Sequence, residues 1–250
     1  MLKKAIVFSA CLMGQFSHAQ TIVTDRPDQT ESPSAIPQGS FQLETGIVIG
    51  FSENDEVSEQ QILAPTTLFR IGIVKGLEIR VVNQLENIKI KNSGESSFGI
   101  SDLEVGAKLE LLHKDNLNTK MAFLSHLILP TGSKELTSNT FGTVNKLAVS
   151  HSIAESLDLG YNIGYNYFGE DNGDLTYSVA LGIGLTDTLG LYVETYGEWI
   201  KFEDFQSNFD AGFTYLVNNN LQLDVSFGTG INHTMNYISA GCSINFSKTQ

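Results

Sequence analysis

The sequence predicts an all-β protein, a transmembrane antiparallel up-and-down β-barrel of about twelve strands. Three observations point to this class: a secretory signal, a strand-like alternation of apolar and polar residues along the chain, and connections that alternate between long and short. The charged fraction is 17% and the hydrophobic fraction 41%. A barrel needs no run of about 20 apolar residues, because polar residues facing the lumen dilute those facing lipid.

An export signal occupies residues 1–19. Lys3 and Lys4 precede an apolar run at 5–13, and small residues follow at the expected cleavage positions. The apolar run is too short to span a membrane. The mature chain is therefore expected to begin at Gln20.

The cysteines and the net charge exclude several classes of protein. Cys11 raises a lipoprotein alternative, but Phe8 stands where a lipobox requires leucine. Removal of the signal leaves Cys242 alone, which excludes a small domain held together by disulfides. The formal charge is −13, and loss of the two signal lysines makes it −15. Nucleic acid is therefore not an expected partner.

Residues 20–40 form an irregular segment without strand periodicity. Pro27, Pro33 and Pro37 lie among Asp, Gln, Thr and Ser residues. Two interpretations remain open: a disordered tail, and a plug that folds into or under the barrel.

The stretch from Leu157 to Phe168 shows the strand pattern most clearly. Its odd positions are Leu, Tyr and Ile, and its even positions up to 166 are Asp, Gly and Asn. One face is therefore apolar and the other tolerates water. A sandwich would bury the apolar face and a membrane barrel would turn it to lipid. In a barrel, arginine at Ile163 or Val179 should be costly, and at Asn162 mild.

The same alternation begins at Phe41 and recurs to the end of the chain, with Pro65 expected only at a strand entrance. The predicted strands lie at about 41–51, 66–73, 77–85, 103–111, 121–129, 146–150, 157–167, 175–185, 191–199, 209–215, 221–228 and 238–246.

The connections distinguish a barrel from a Greek-key sandwich. Short turns at one end and longer polar loops at the other are typical of bacterial barrels. The predicted long connections are 52–60, 86–98, 130–143, 169–174, 201–208 and 229–236, and the short ones are 74–76, 113–118, 153–156, 186–190 and 217–220.

Aromatic residues gather near the predicted strand ends, as in the interfacial girdles of membrane barrels. They are Phe41, Phe51, Tyr167, Tyr177, Trp199, Tyr215, Tyr237 and Phe246.

The polar face of the strands supplies the candidate lumen-facing residues. The acidic candidates are Glu44, Glu78, Asp102, Glu104, Glu110, Asp158, Glu194, Glu198, Asp210 and Asp224. The basic candidates are Arg70, Arg80, Lys108 and Lys146. Two interpretations stay open: a network that satisfies charges in a narrow lumen, and a cation-favouring path.

The sequence does not predict an enzyme. Its mature histidines have no metal-ligand spacing, so no metal site and no cofactor are expected. Ser125-His126 and Ser150-His151 are adjacent pairs, whose side chains point to opposite faces of a strand. Neither pair can act as nucleophile and base unaided.

Three short motifs resemble an outer-membrane family named for the MetA pathway of phenol degradation, whose members are labelled transporters. They are TDRP at 24–27 followed by GSFQLETG at 39–46, SDL at 101–103 with Lys108, and LPTG at 129–132. Their order spans nearly the whole mature chain.

The resemblance implies an outer-membrane barrel and transport of small aromatic or organic solutes. The strand pattern itself places the barrel at 41–246, followed by a short tail at 247–250. The implied partners are outer-membrane lipid, a small-molecule solute, and the export and barrel-assembly machinery. It supplies no catalytic residues. The main alternative is a non-conducting structural or surface-interaction barrel, ahead of a soluble lipocalin-like binder or a barrel hydrolase.

Overall fold

A computed structural model describes most of the predicted mature chain. The predicted signal at 1–19 and the tail at 247–250 lie outside the described residues, which are 21–54, 57–113, 118–169 and 172–246.

The described residues form thirteen β-strands, and no helix among them is long and apolar enough to cross a membrane. The strands are β1 Phe41–Glu53, β2 Ser58–Val74, β3 Leu77–Ile90, β4 Ser96–Ile100, β5 Leu103–His113, β6 Thr119–Leu129, β7 Gly142–Ala154, β8 Leu157–Tyr167, β9 Asp174–Gly184, β10 Leu189–Ile200, β11 Asp204–Asn218, β12 Leu221–Gly230 and β13 Thr234–Asn245.

All strand pairs are antiparallel, and the sheet closes on itself. β1 pairs with both β2 and β13, and the β2–β3 pairing completes the ring. The first half of β3 pairs with β5, and the second half with the short β4. Because β4 and β5 are separated only by Ser101 and Asp102, they act as one interrupted barrel strand. The predicted up-and-down barrel of twelve strands is therefore confirmed.

The apolar face of the strands points outward. Ile163 is 55% exposed, whereas Arg70 and Glu78 are fully buried in the interior. Exposed Ile, Leu, Val and Phe side chains recur on every second residue around the wall. An apolar exterior with a charged interior is the arrangement of a barrel whose surrounding solvent is lipid.

The prediction that Pro65 stands at a strand entrance is wrong. β2 runs through Pro65, and its ladder with β3 shifts register between Leu63 and Thr66. This irregularity accommodates a residue without an N–H inside a paired strand.

Several connections are also shorter than predicted. β1 and β2 stay paired up to Glu53 and Ser58, within the predicted loop 52–60, and β3 and β4 likewise occupy most of 86–98. The β10–β11 and β12–β13 connections shrink to three residues each, 201–203 and 231–233. Polar residues extend these hairpins because ladder bonds join backbones and need no apolar side chain.

One predicted girdle aromatic lies inside the barrel. Tyr237 donates a hydrogen bond to Asp210 from the interior face of β13, while its neighbour Ile238 is 60% exposed on the outside. The period of two places Tyr237 with the polar residues.

Ile163→Arg is expected to lower the free energy of unfolding in vesicles by about 2–4 kcal/mol, because it places a charge at the lipid-facing middle of β8. Denaturant titration in vesicles measures this loss. Arginine at Asn162 is not expected to be mild, although Asn162 faces the interior. The Asn162 side-chain amide accepts a hydrogen bond from the Glu31 N–H and donates one to the Glu31 carbonyl oxygen, and the substitution removes both. Thr176→Arg, which faces an interior cavity, is the better control. Equal losses at Ile163 and Thr176 would contradict the assigned faces.

Candidate functional site

The segment of residues 21–40, here called the leader, enters and leaves the barrel at the end with the short turns. The Ile22 amide donates to the Asn219 carbonyl oxygen at 2.9 Å, beside the β11–β12 turn. The Gly39 amide donates to the Gly72 carbonyl oxygen at 2.8 Å, close to the β2–β3 turn. Between these points the leader rises into the lumen and returns.

The backbone of the leader is held by side chains from strands around the whole barrel, a set of contacts that only a segment inside a closed barrel can make. A proline-rich segment has no ladder of its own, so its N–H groups need other acceptors. Amides of the leader donate to interior side chains as follows: Asp25 and Arg26 to Glu44 at 3.0 and 3.1 Å, Gln29 to Glu194 at 2.7 Å, Glu31 to Asn162 at 2.7 Å, Ala35 to Glu110 at 2.8 Å, and Ile36 to Glu78 at 2.8 Å.

Arg70 joins both arms of the leader, the part before Asp28 and the part after it, to the barrel wall. Its guanidinium makes a bidentate pair with Glu78, with both distances 2.9 Å, and a single 2.9 Å bond to Glu44. Its remaining donors reach the carbonyl oxygens of Val23 and Ser34, each at 3.0 Å. All five N–H donors of this buried side chain are therefore used.

Asp25 is the leader's main anchor on this side. Its carboxylate accepts hydrogen bonds from Lys108 at 2.8 and 2.9 Å, pairs with Arg80, and lies 3.3 Å from Arg70. Glu31 pairs with Arg80 at 3.0 Å. We call this group the ionic cluster; its members are Asp25, Glu31, Glu44, Arg70, Glu78, Arg80 and Lys108.

Arg26 anchors the leader to strands β12 and β13. Its guanidinium pairs with Asp224 at 2.8 Å and donates to Ser239 at 3.0 Å. It lies against the paired glycines Gly46 and Gly241, where an added Cβ would come within 2.7 Å or less of it. The bare backbone at these two positions makes room for the guanidinium.

The wall formed by β10 to β12 is acidic. Glu194 accepts hydrogen bonds from Gln29 N–H and the Thr30 hydroxyl, and Asp210 accepts one from Tyr237. Asp28, at the tip of the leader, lies near both carboxylates. The lumen therefore has a wall of paired charges on β2, β3 and β5, which carries all three cations of the ionic cluster, and an acidic wall on β10 to β12.

The remaining lumen-facing candidates from the sequence are not members of the ionic cluster. Glu104 bonds His126, whose other ring nitrogen accepts a hydrogen bond from Arg80. Asp158 is exposed at the short-turn end and accepts a 2.7 Å bond from Ser152. Lys146 and Glu198 line a separate cavity, and Glu110 bonds the leader at Ala35.

Asp102 belongs to a loop clamp and not to the lumen network. Its carboxylate accepts hydrogen bonds from the Gly132 and Ser138 amides at 2.8 and 2.9 Å. The SDL and LPTG motifs meet here, and Thr131 also accepts a bond from the Leu103 amide. Partial burial acts to raise the pKa of Asp102, but the Ser138 and Gly132 amides outweigh it and hold the pKa below its ordinary value.

Three larger cavities surround the tip of the leader. One of about 400 Å³ faces the long-loop end, and two of about 370 Å³ each lie toward the short-turn end. Asp28 lines all three. The leader tip is therefore the partition between the two ends of the lumen.

The candidates chosen from the sequence omitted the leader's own charges. Asp25, Arg26 and Glu31 carry the ion pairs to the wall, yet a segment without periodicity assigns them no face. The TDRP motif, which contains the one basic residue of the leader, was the available signal.

Known structures similar to this one are outer-membrane barrels. An outer membrane channel from Pseudomonas putida F1 matches with a TM-score of 0.73 and 12% identity, over 88% of this chain and 100% of that one. The KdgM porin in complex with oligogalacturonate matches at 0.57 and 11%, covering 82% and 99%, and the NanC porin at 0.51 and 10%, covering 80% and 98%. At these identities the likeness shows the fold.

No functionally curated protein matches the chain in sequence. A family model described as "Putative MetA-pathway of phenol degradation" matches residues 24–247, from the first leader motif to the end of the barrel. Since this span includes the ionic cluster, the loop clamp and all barrel strands, the chain belongs to that family.

Proposed function

We propose that the protein is an outer-membrane channel for small organic solutes, and that the leader controls passage through it. The observation that carries the proposal is the division of one polar lumen into cavities on both sides of the leader tip, which share Asp28 as a lining residue. A purely structural wall has no need of an interior of this kind.

The lining of the cavity at the long-loop end supports a small organic solute. Apolar Leu63 and Met235 face it together with the amides of Gln61 and Gln84. Such a mixture suits a compact molecule with an apolar body and a few polar groups. The family's link to phenol degradation agrees with this class of solute. The Pseudomonas structure of the same fold is a channel.

Passage requires the leader tip to move. The leader is held on β2, β3 and β5 by Asp25 and on β12 by Arg26, so displacing it breaks both sets of ion pairs. The two ends of the leader keep their backbone bonds near the short turns during such a movement. A solute can then pass between the wall of paired charges and the acidic wall without opening the barrel.

A second candidate, a non-conducting structural barrel, is favoured by the completeness of the ionic cluster. Arg70 has all of its donors satisfied and the cluster is buried. The barrel with the leader inside its lumen is therefore a stable structure that needs no solute. Both candidates predict outer-membrane location and differ in conductance.

Removal of residues 20–39 is expected to convert a low-conductance barrel into a markedly more conductive one, because the tip no longer partitions the lumen. Planar-bilayer recording and liposome swelling with a small phenol and a small sugar measure the change. A synthetic peptide of residues 20–39, added to the shortened chain, should restore the low conductance. If neither chain conducts and no solute enters, the channel proposal is wrong and the structural candidate stands.

A further inference from the structure

A fourth cavity, of about 210 Å³, lies beside the leader tip at the long-loop half of the barrel. Gln29 of the leader faces it from one side, and Lys146, Asn166, Glu198 and Asn208 face it from the barrel wall. Its volume is that of a solute the size of an amino acid. None of its charged residues takes part in the ionic cluster.

The strand register places opposite charges on its two sides. Lys146 pairs with Gly164, Gly164 with Thr176, and Thr176 with Glu198, so all four lie on one row across β7 to β10. Lys146 and Glu198 are thus three strand spacings apart, roughly 14 Å along the wall. The concave wall brings their tips closer together than their backbones.

Gly164, which lies on the row between Lys146 and Glu198, has no side chain to fill the space between the two charges. An added Cβ at Gly164 would meet Thr176 Oγ1 at 2.5 Å and Lys146 Cγ at 3.0 Å. The lysine stem therefore lies across the glycine, and the space above Thr176 stays open. This geometry separates the charged tips and leaves room for a molecule between them.

Neither charge is neutralised by a contact within the described part of the chain. No hydrogen bond or ion pair joins Lys146 or Glu198 to another described residue. Glu194 feels the charge of Lys146, but its two oxygens accept hydrogen bonds from Gln29 and Thr30. A part-buried cation and anion on one row, left unpaired, can each bind an opposite charge.

We propose that this cavity binds a small zwitterion, with its carboxylate on Lys146 and its ammonium on Glu198. Each charged end of the ligand then has an opposite charge. The inference rests on the proposed function in one respect, since it names a class of solute held on the path through the lumen.

The test compares three probes of equal chain length: γ-aminobutyrate, butyrate and butylammonium. Saturation-transfer NMR on the full mature protein in detergent measures binding without any transport. The zwitterion is expected to bind roughly fivefold or more tightly than either singly charged probe, because it alone makes both charge-assisted contacts. Equal binding of the three probes, or binding of none, would overturn the proposal.

Two single substitutions assign the ends of the ligand. Lys146→Gln should remove the advantage over butylammonium, and Glu198→Gln the advantage over butyrate. Lys120→Gln and Glu59→Gln make the same charge changes in two other cavities and should leave the ranking of probes unchanged. Heat-modifiable gel migration verifies folding of all four variants.

The outcomes separate this site from the channel proposal. Zwitterion binding that depends on Lys146 and Glu198, in a protein that never conducts, leaves the site standing and removes the channel. Conductance of the shortened chain, with no preference among the three probes, leaves the channel standing and removes the site.

Discussion

Replacement of Asp25 by asparagine is expected to release the leader tip and raise conductance toward that of the chain lacking residues 20–39. Asp25 and Glu78 both lie within ion-pair distance of Arg70, Arg80 and Lys108, and of the two only Asp25 belongs to the leader. An amide of the same shape leaves these three buried cations short of one negative charge. Breaking a buried ion pair from one side costs about 3–5 kcal/mol, because the remaining charge stays desolvated.

The release should appear in two measurements. Planar-bilayer recording should show more frequent or larger openings. The temperature at which heating unfolds the barrel, seen as a change in its gel migration, should fall. The barrel itself should still assemble, because Arg70 keeps its bonds to Glu44 and Glu78 on the wall.

Asp28→Asn is the matched control for Asp25→Asn. The two aspartates are three residues apart in the same leader, but Asp28 lies near Glu194 and Asp210 instead of near cations. Removing its charge relieves repulsion, so the leader should be held equally well or better. If both variants conduct alike, or if Asp25→Asn conducts no more than the parent, the ionic cluster does not hold the leader.

The faces of the strands could be predicted from the sequence because they depend on neighbours along the chain. A period of two fixes the side of each residue, and it placed Ile163 outside and Glu44, Arg70 and Glu78 inside. The closed barrel follows from that pattern repeated twelve times. The same rule, applied to β13, would also have placed Tyr237 inside.

The partners of the lumen charges could not be predicted in this way. Which carboxylate meets Arg70 depends on the stagger of the strands and on the path of the leader, and both are set by contacts distant in sequence. Asp25 and Lys108 are 83 residues apart, and Arg26 and Asp224 are 198 apart. Pro65 and Asp102 were misplaced for a related reason, since a register shift and a strand break have no periodic signal.

Replacement of Arg70 by lysine tests whether the shape of this side chain, and not its charge alone, holds the two arms of the leader. Lysine keeps the positive charge but has three donors on one atom, whereas Arg70 uses five donors in a planar fork. It cannot pair with both oxygens of Glu78 and also reach Val23 and Ser34.

Arg70→Lys is therefore expected to lower the free energy of unfolding by about 2–3 kcal/mol, the effect of losing charge-assisted bonds at a buried site. It should also raise conductance, because both arms of the leader lose a carbonyl contact. Lys75→Arg, which adds a guanidinium at the exposed turn between β2 and β3, is the control and should change neither quantity. Denaturant titration in vesicles and planar-bilayer recording give the two measurements. Stability and conductance equal to the parent in Arg70→Lys would mean that charge alone suffices and that the leader is held chiefly through Asp25.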